Sequence, residues 1–160
     1  MYRARVFAIA FTVIALDQLT KVWAVSRLEY MAPINVIGEV VQLSFTRNPG
    51  ASFSFATGQT WVFTFIATAV GIAIVRTAKS LTNPVWAACL GALLGGAMGN
   101  LIDRLVRSPG HFQGHVVDFI KFPHFPLFNV ADIAITTSAT IMCIWSLRGI
   151  DMSDAVKDES

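Results

Sequence analysis

Five short clusters of polar residues interrupt an otherwise apolar chain, and each holds side chains able to do chemistry. One is Val116-Val117-Asp118-Phe119-Ile120, an acid framed by four apolar neighbours. A solvated loop acid rarely has such a frame. A second acid opens an apolar run in Phe128-Asn129-Val130-Ala131-Asp132-Ile133. Taken alone, Asn129 and Asp132 read equally well as the N-cap and N3 residues of a capping box, with Asp132 favoured by the helix dipole. Two carboxylates brought together in apolar surroundings cannot both ionise readily. One then keeps a proton near neutral pH while the other acts as a base toward water.

Three further groups compete for a role. Gly99-Asn100-Leu101-Ile102-Asp103-Arg104 brings an amide, a carboxylate and a guanidinium to the end of an apolar run. Local pairing of Asp103 and snorkelling of Arg104 account for the charges but leave Asn100 unexplained. Asp17 and Lys21 stand at i and i+4 on one helical face, so deep in an apolar stretch that pairing is expected. A structural ion pair is the simpler reading; the functional alternatives are a polar face supporting a water-accessible site, or a small proton-coupled transporter. His111, His115 and Asp118, with His124, have a spacing that could bind zinc, although exposed loop histidines are the simpler account.

The elements that position these groups follow from composition. Of 160 residues, 54% are hydrophobic and 14% charged, and the mean hydropathy is +0.60. A typical globular domain has about 25% charged residues, which argues against a soluble protein. Four apolar stretches, Val6 to Val25, Trp61 to Val75, Pro84 to Leu101 and Phe128 to Leu147, cover 73 residues yet hold three of the 22 charges. At about 1.5 Å of rise per residue against a hydrocarbon core of about 30 Å, two span as they stand and two need flanking residues. The reading is an all-α membrane protein with four transmembrane helices, at about 6–25, 61–78, 84–102 and 128–147, forming a single integral membrane domain over 1–160. A small β-rich segment at about 30–58 lies on the membrane surface, and a disordered tail runs from about 151 to 160.

That arrangement leaves no room for a second folded domain, and a net charge of +2 does not suggest nucleic acid. Cys89 and Cys143 lie inside apolar segments and read as small hydrophobes. The first stretch is too long for a signal-peptide h-region and carries Asp17 and Lys21, so it reads as a retained helix. An even number of spans puts both termini on one side. Six positive charges fall on the side of the termini and the Arg76 to Pro84 link, against five on the other, a small positive-inside bias. The segments Ser26 to Thr60 and Ile102 to Leu127 are then external, long and rich in motif-like polar residues. Val36 to Phe45 is rich in β-branched residues ahead of a turn at Asn48-Pro49-Gly50, which predicts a small sheet or hairpin. Lys121-Phe122-Pro123-His124-Phe125-Pro126 cannot continue a helix and reads as an aromatic loop at the interface. Gly91, Gly95 and Gly99 form a small-residue ridge for close helix packing.

Five blocks in order, Asp17-Gln-x-Thr-Lys21 with Trp23, Asn48-x-Gly-Ala-Ser-Phe53, Gly99-Asn-x-x-Asp-Arg104, Val116-Val-Asp-Phe119 and Phe128-Asn-x-Ala-Asp132, resemble the bacterial lipoprotein signal peptidases (signal peptidase II). The resemblance covers essentially the whole chain; Ser52 stands where the family often has Ala. It implies four transmembrane helices with both termini cytoplasmic, in the bacterial cytoplasmic (inner) membrane, and an aspartic dyad near the extracytoplasmic face. Carried over, the catalytic pair is Asp118 and Asp132. Asn48, Gly50, Asn100, Arg104 and Asn129 are implied to line the site and hold substrate backbone, while Asp17, Lys21 and Asp103 keep it in shape. The implied reaction is removal of signal peptides from diacylglyceryl-modified prolipoproteins on the amino side of the modified cysteine, by a monomer without metal or cofactor. Membrane lipid and globomycin-type cyclic peptide inhibitors are the other implied partners. Two carboxylates sharing a proton suit that chemistry, one as general base toward water and one as general acid.

Overall fold

A computed structural model describes residues 2–50, 60–110 and 112–153. The elements run α1 (Tyr2–Leu28), β1 (Ile34–Ile37), β2 (Val41–Asn48), α2 (Thr60–Thr77), α3 (Pro84–Val106), β3 (Val116–Lys121) and α4 (Val130–Leu147). Three of the helices, α1, α3 and α4, are long and apolar enough to cross a membrane, whereas the apolar run of α2, Thr64–Thr77, is shorter. Their outward faces carry Phe11, Leu19, Phe65 and Leu147, all largely exposed, an apolar surface suited to lipid.

Helix α3 is central and packs on α1, α2 and α4. Its glycine ridge makes this possible. A Cβ on Gly91 or Gly95 would stand 2.7 Å from the Val6 or Ala10 carbonyl oxygen of α1, and one on Gly96 would stand 2.6 Å from that of Ala131 in α4. Only hydrogen at these positions lets the backbones touch. Asn83 caps α3, accepting from the Val85 and Trp86 amides ahead of Pro84 in the first turn.

The β-rich element differs in detail from the sequence reading. The hairpin turns at Gly38, whose φ of +51° favours glycine, and a second bend comes at Pro49-Gly50, just after Asn48 ends β2, with the Gly50 amide donating to Asn48 Oδ1. The segment between α3 and α4, in which the sequence marks no strand, contributes β3, and the sheet is antiparallel in the order β1-β2-β3. Val116 to Phe119 are buried in succession, so β3 shows no polar-apolar alternation. It packs on the end of α1 through Ala24, Leu28, Val117 and Phe119. The run from Lys121 to Pro126 is non-helical, with Phe122 and Phe125 packed on Phe128.

Residues 151–153 are exposed, and the chain there is tied to the start of α3: the Met152 carbonyl accepts from the Thr82 and Asn83 amides, and the Trp86 indole donates to the Ile150 carbonyl. Residues 154–160 of that expected disordered tail lie outside the described residues. These contacts, with the packing of Val6 on Gly91, place both described chain ends at the end of the bundle away from the sheet.

Candidate active site

Strand pairing fixes one acid. Thr46 faces Asp118 and Asn48 faces Val116 across the β2–β3 ladder, so Asn48 reaches Asp118 diagonally. The start of α4 fixes the other. Asn129 caps the helix by accepting from the Asp132 amide at 3.0 Å, and Asp132 Oδ2 accepts from the Asn129 amide at 3.1 Å. The capping box proposed from sequence is real, yet only Oδ2 of Asp132 serves it. Oδ1 accepts at 2.9 Å from Asn100 Nδ2 of α3.

Three asparagines thus present amide NH₂ groups to two carboxylates. Asn48 Nδ2 donates to Asp118 Oδ2 at 2.8 Å, Asn129 Nδ2 donates to Asp118 Oδ1 at 2.6 Å, and Asn100 Nδ2 serves Asp132. An asparagine amide can be turned end for end with little change of shape, so partners decide its orientation. Each carbonyl here faces a group that can only donate. Gly50 N donates to Asn48 Oδ1 at 2.8 Å, Asp132 N donates to Asn129 Oδ1 at 3.0 Å, and Lys21 Nζ donates to Asn100 Oδ1 at 2.8 Å.

The acids open on a cavity of about 820 Å³. Its polar lining includes Asn48, Gly50, Asn100, Arg104, Asp118 and Asp132. Its apolar wall comes from the 122–128 segment and from Ile133, Thr136 and Thr137 on α4. Gly50 holds φ +101° at the rim, a conformation that favours glycine. Burial and the neighbouring Asp132 charge raise the Asp118 carboxyl, against the pull of the Asn48 and Asn129 amides and of Lys21, leaving it at about 6 instead of 3.8. The Arg104 guanidinium attracts both acids.

Behind the cavity lies a closed ionic cluster. Lys21 Nζ is 2.8 Å from Asp17 and 3.0 Å from Asp103, all three fully buried. Arg107 pairs with Asp103 at 2.6 Å, and Gln18 donates to both carboxylates. A Cβ on Gly99 would stand 2.5 Å from Asp17 Oδ2.

Known proteins place this arrangement. The family model described as Signal peptidase (SPase) II matches residues 9–148. The chain belongs to the signal peptidase II family. It is 48% identical over 149 residues to a lipoprotein signal peptidase of Rhodococcus jostii, covering 93% of this chain and 75% of that one. A lipoprotein signal peptidase of Mycobacterium avium is 48% identical over 144 residues, covering 90% of this chain and 79% of the relative. A bacterial membrane enzyme solved by the in meso method at 2.3 Å resolution superposes with a TM-score of 0.78 at 28% identity, covering 98% of this chain and 93% of that one. As a signal peptidase II the chain is a protease and a multi-pass membrane protein.

Within this signal peptidase II, Asp118, Asp132, Asn48, Gly50, Asn100 and Arg104 converge on the cavity. Asn129 is fully buried beside it and donates to Asp118. Asp17, Lys21 and Asp103 meet in the cluster. Ala51, Ser52 and Phe53 of the second block, and His111, lie outside the described residues. His115 and His124 do not line the cavity. Trp23 packs edge-on against Phe119 at 6.3 Å. The sequence reading missed Gln18, Arg107, Thr136 and Thr137. The i,i+4 spacing of Asp103 and Arg107 was the available signal for one of them.

Proposed function

We propose that this protein is an aspartic endopeptidase that removes signal peptides from diacylglyceryl-modified bacterial prolipoproteins, cleaving on the amino side of the modified cysteine. The observation that carries the reading is the meeting of Asp118 and Asp132 on one cavity, each held by amide donors. With a single proton between them, the ionised acid takes a proton from water as it attacks the scissile carbonyl, and the protonated acid gives its proton to the departing amine. Arg104 offers a fixed positive donor to the developing oxyanion. Asn48, Asn100 and Asn129 act first on the aspartates; the rim at Gly50 and the face of Arg104 remain for substrate backbone. No metal or cofactor takes part.

The site lies at the sheet end of the bundle, away from both described chain ends. We assign four spans in the bacterial inner membrane, cytoplasmic termini and an extracytoplasmic site, so that a substrate held by its own acyl chains meets the cavity at the outer interface. The apolar wall suits that lipid-borne substrate and globomycin-type inhibitors. The protein acts as a monomer.

The test is cleavage of one prolipoprotein with and without the diacylglyceryl group, by purified protein in chelator. Cleavage of the modified form alone, lost in Asp118→Asn and in Asp132→Asn, is the expected result. Equal cleavage of both forms, full activity in either variant or inhibition by chelator overturns it.

A further inference from the structure

Asn48 and Asn129 are each locked by a backbone amide, whereas the Asn100 carbonyl accepts from side chains alone, from Lys21 Nζ at 2.8 Å and from Asn129 Nδ2 at a longer 3.2 Å. A backbone N–H is present whatever the sequence around it; the ammonium of Lys21 is a specific investment at a fully buried position. Its geometry is complete: Nζ, with three protons to give, lies 2.8 Å from Asp17 Oδ2, 3.0 Å from Asp103 Oδ2 and 2.8 Å from Asn100 Oδ1. Two carboxylates are enough to neutralise it, so the third contact is not needed for charge balance.

The same cluster grips the backbone beside each acid. Asp17 Oδ1 accepts from the Ala131 amide at 3.0 Å, one residue before Asp132, and Asp103 Oδ2 accepts from the Val117 amide at 3.1 Å, one residue before Asp118. One set of charges on α1 and α3 thus reaches α4, β3 and the side chain of Asn100.

We propose that Lys21 is a positioning residue for the peptidase reaction: its ammonium fixes the orientation of the Asn100 amide so that Asn100 always donates to Asp132, and Asp17 and Asp103 aim that ammonium while anchoring the backbone beside both acids. Without Lys21, only the longer contact from Asn129 Nδ2 opposes a turn of the Asn100 carbonyl toward Asp132, which would replace a donor by a repelling acceptor. Asp132 faces Asn100 and Arg104 of α3 and Asn129 at the start of α4; Asp118 faces Asn48 of β2, Asn129, Asp132, Arg104 and, at longer range, Lys21 of α1. A carbonyl turned toward Asp132 disfavours an ionised acid there, and the pair then keeps its shared proton to higher pH.

This inference rests on the aspartic reading, and the test separates the two. The charge-compensated variant Asp17→Asn/Lys21→Met keeps an acceptor for the Ala131 amide and leaves Asp103 paired with Arg107, while it removes the ammonium from Asn100 and from Asp103. It is expected to unfold at a temperature near that of the unmodified protein, with kcat lower by about 10- to 100-fold, KM within about threefold and the pH profile of kcat moved to higher pH. Unchanged kcat and pH profile in the folded variant overturn the proposal. If this variant does not fold, Asn100→Asp decides. It keeps an acceptor for Lys21 and loses the donor to Asp132, and it is expected to show the same fall and the same shift, whereas normal turnover overturns the proposal. Asp118→Asn and Asp132→Asn run in the same assay. If either cleaves, the aspartic reading fails; if both are silent and the Lys21 variant is normal, only the role of Lys21 fails.

Discussion

Two groups of buried charge lie close together at the sheet end of this molecule and are built on opposite plans. In the cluster of Asp17, Lys21, Asp103 and Arg107 every carboxylate has a cation within 3.0 Å, and solvent is excluded from Asp17, Lys21 and Asp103. At Asp118 and Asp132 neutral amides supply the side-chain hydrogen bonds, the Arg104 guanidinium is shared between two carboxylates, and the pair opens on a cavity. Matched charge holds the backbones in place. Unmatched charge keeps a carboxyl group protonatable near neutral pH, the property that acid–base chemistry needs. The two plans are joined through Asn100, which accepts from Lys21 and donates to Asp132.

The same substitution at four aspartates is the sharpest way to break this contrast. Asp118→Asn and Asp132→Asn should fold and lose cleavage by about a thousandfold or more, as when a catalytic acid or base is removed. Asp17→Asn and Asp103→Asn should instead lose stability, by about 3 kcal/mol, because a buried cation is left short of its counter-charge. Thermal unfolding in detergent beside a cleavage assay separates the two outcomes, and equal behaviour at all four positions would dissolve the comparison. Gly99→Ala attacks the matched cluster sterically: the added carbon meets Asp17 Oδ2 at 2.5 Å. A loss of about 1–3 kcal/mol is expected, read as a lower unfolding temperature. Asn48→Ala attacks the unmatched pair by removing one donor from Asp118. A fall of about tenfold in kcat/KM is expected, with an unfolding temperature close to that of the unmodified protein.

The smallest effect is a pH dependence of stability. The folded protein holds the Asp118 proton up to about 6, against an ordinary value of 3.8. Between those values the folded state binds more proton than the unfolded one, so this group's contribution to stability falls as pH rises and its cost is fully present above about 6. From pH 5 to pH 7 the loss should be about 1 kcal/mol, and Asp118→Asn should flatten that slope in a series of unfolding curves.

The two acids were legible in the sequence because each stands in an apolar frame, and the ionic pair because Asp17 and Lys21 share a helical face. The glycine ridge was legible for the same local reason. What joins these pieces was not. Asp17 meets the Ala131 amide across 114 positions, and Asn48 meets Asp118 across 70. No local pattern encodes such a meeting, so Asn100 remained unexplained until Lys21 and Asp132 stood on either side of it. Strand β3 escaped because Val116 to Phe119 are all buried, and burial on both faces erases the alternation that marks a strand. The bend at Asn48-Pro49-Gly50 was legible from its turn residues, whereas the hairpin turn at Gly38 offers a weaker local signal; Asn48 and Gly50 also serve the site.

The central claim is that the unmatched pair, sharing one proton, carries out the cleavage. The most direct measurement is kcat/KM against pH for the unmodified protein on a diacylglyceryl-modified prolipoprotein in chelator, beside Asp118→Asn and Asp132→Asn. The account predicts a bell-shaped profile that falls on the alkaline side once pH passes the Asp118 value of about 6, and no cleavage by either variant. A rate that climbs steadily with pH, or cleavage that survives in either variant, would contradict it.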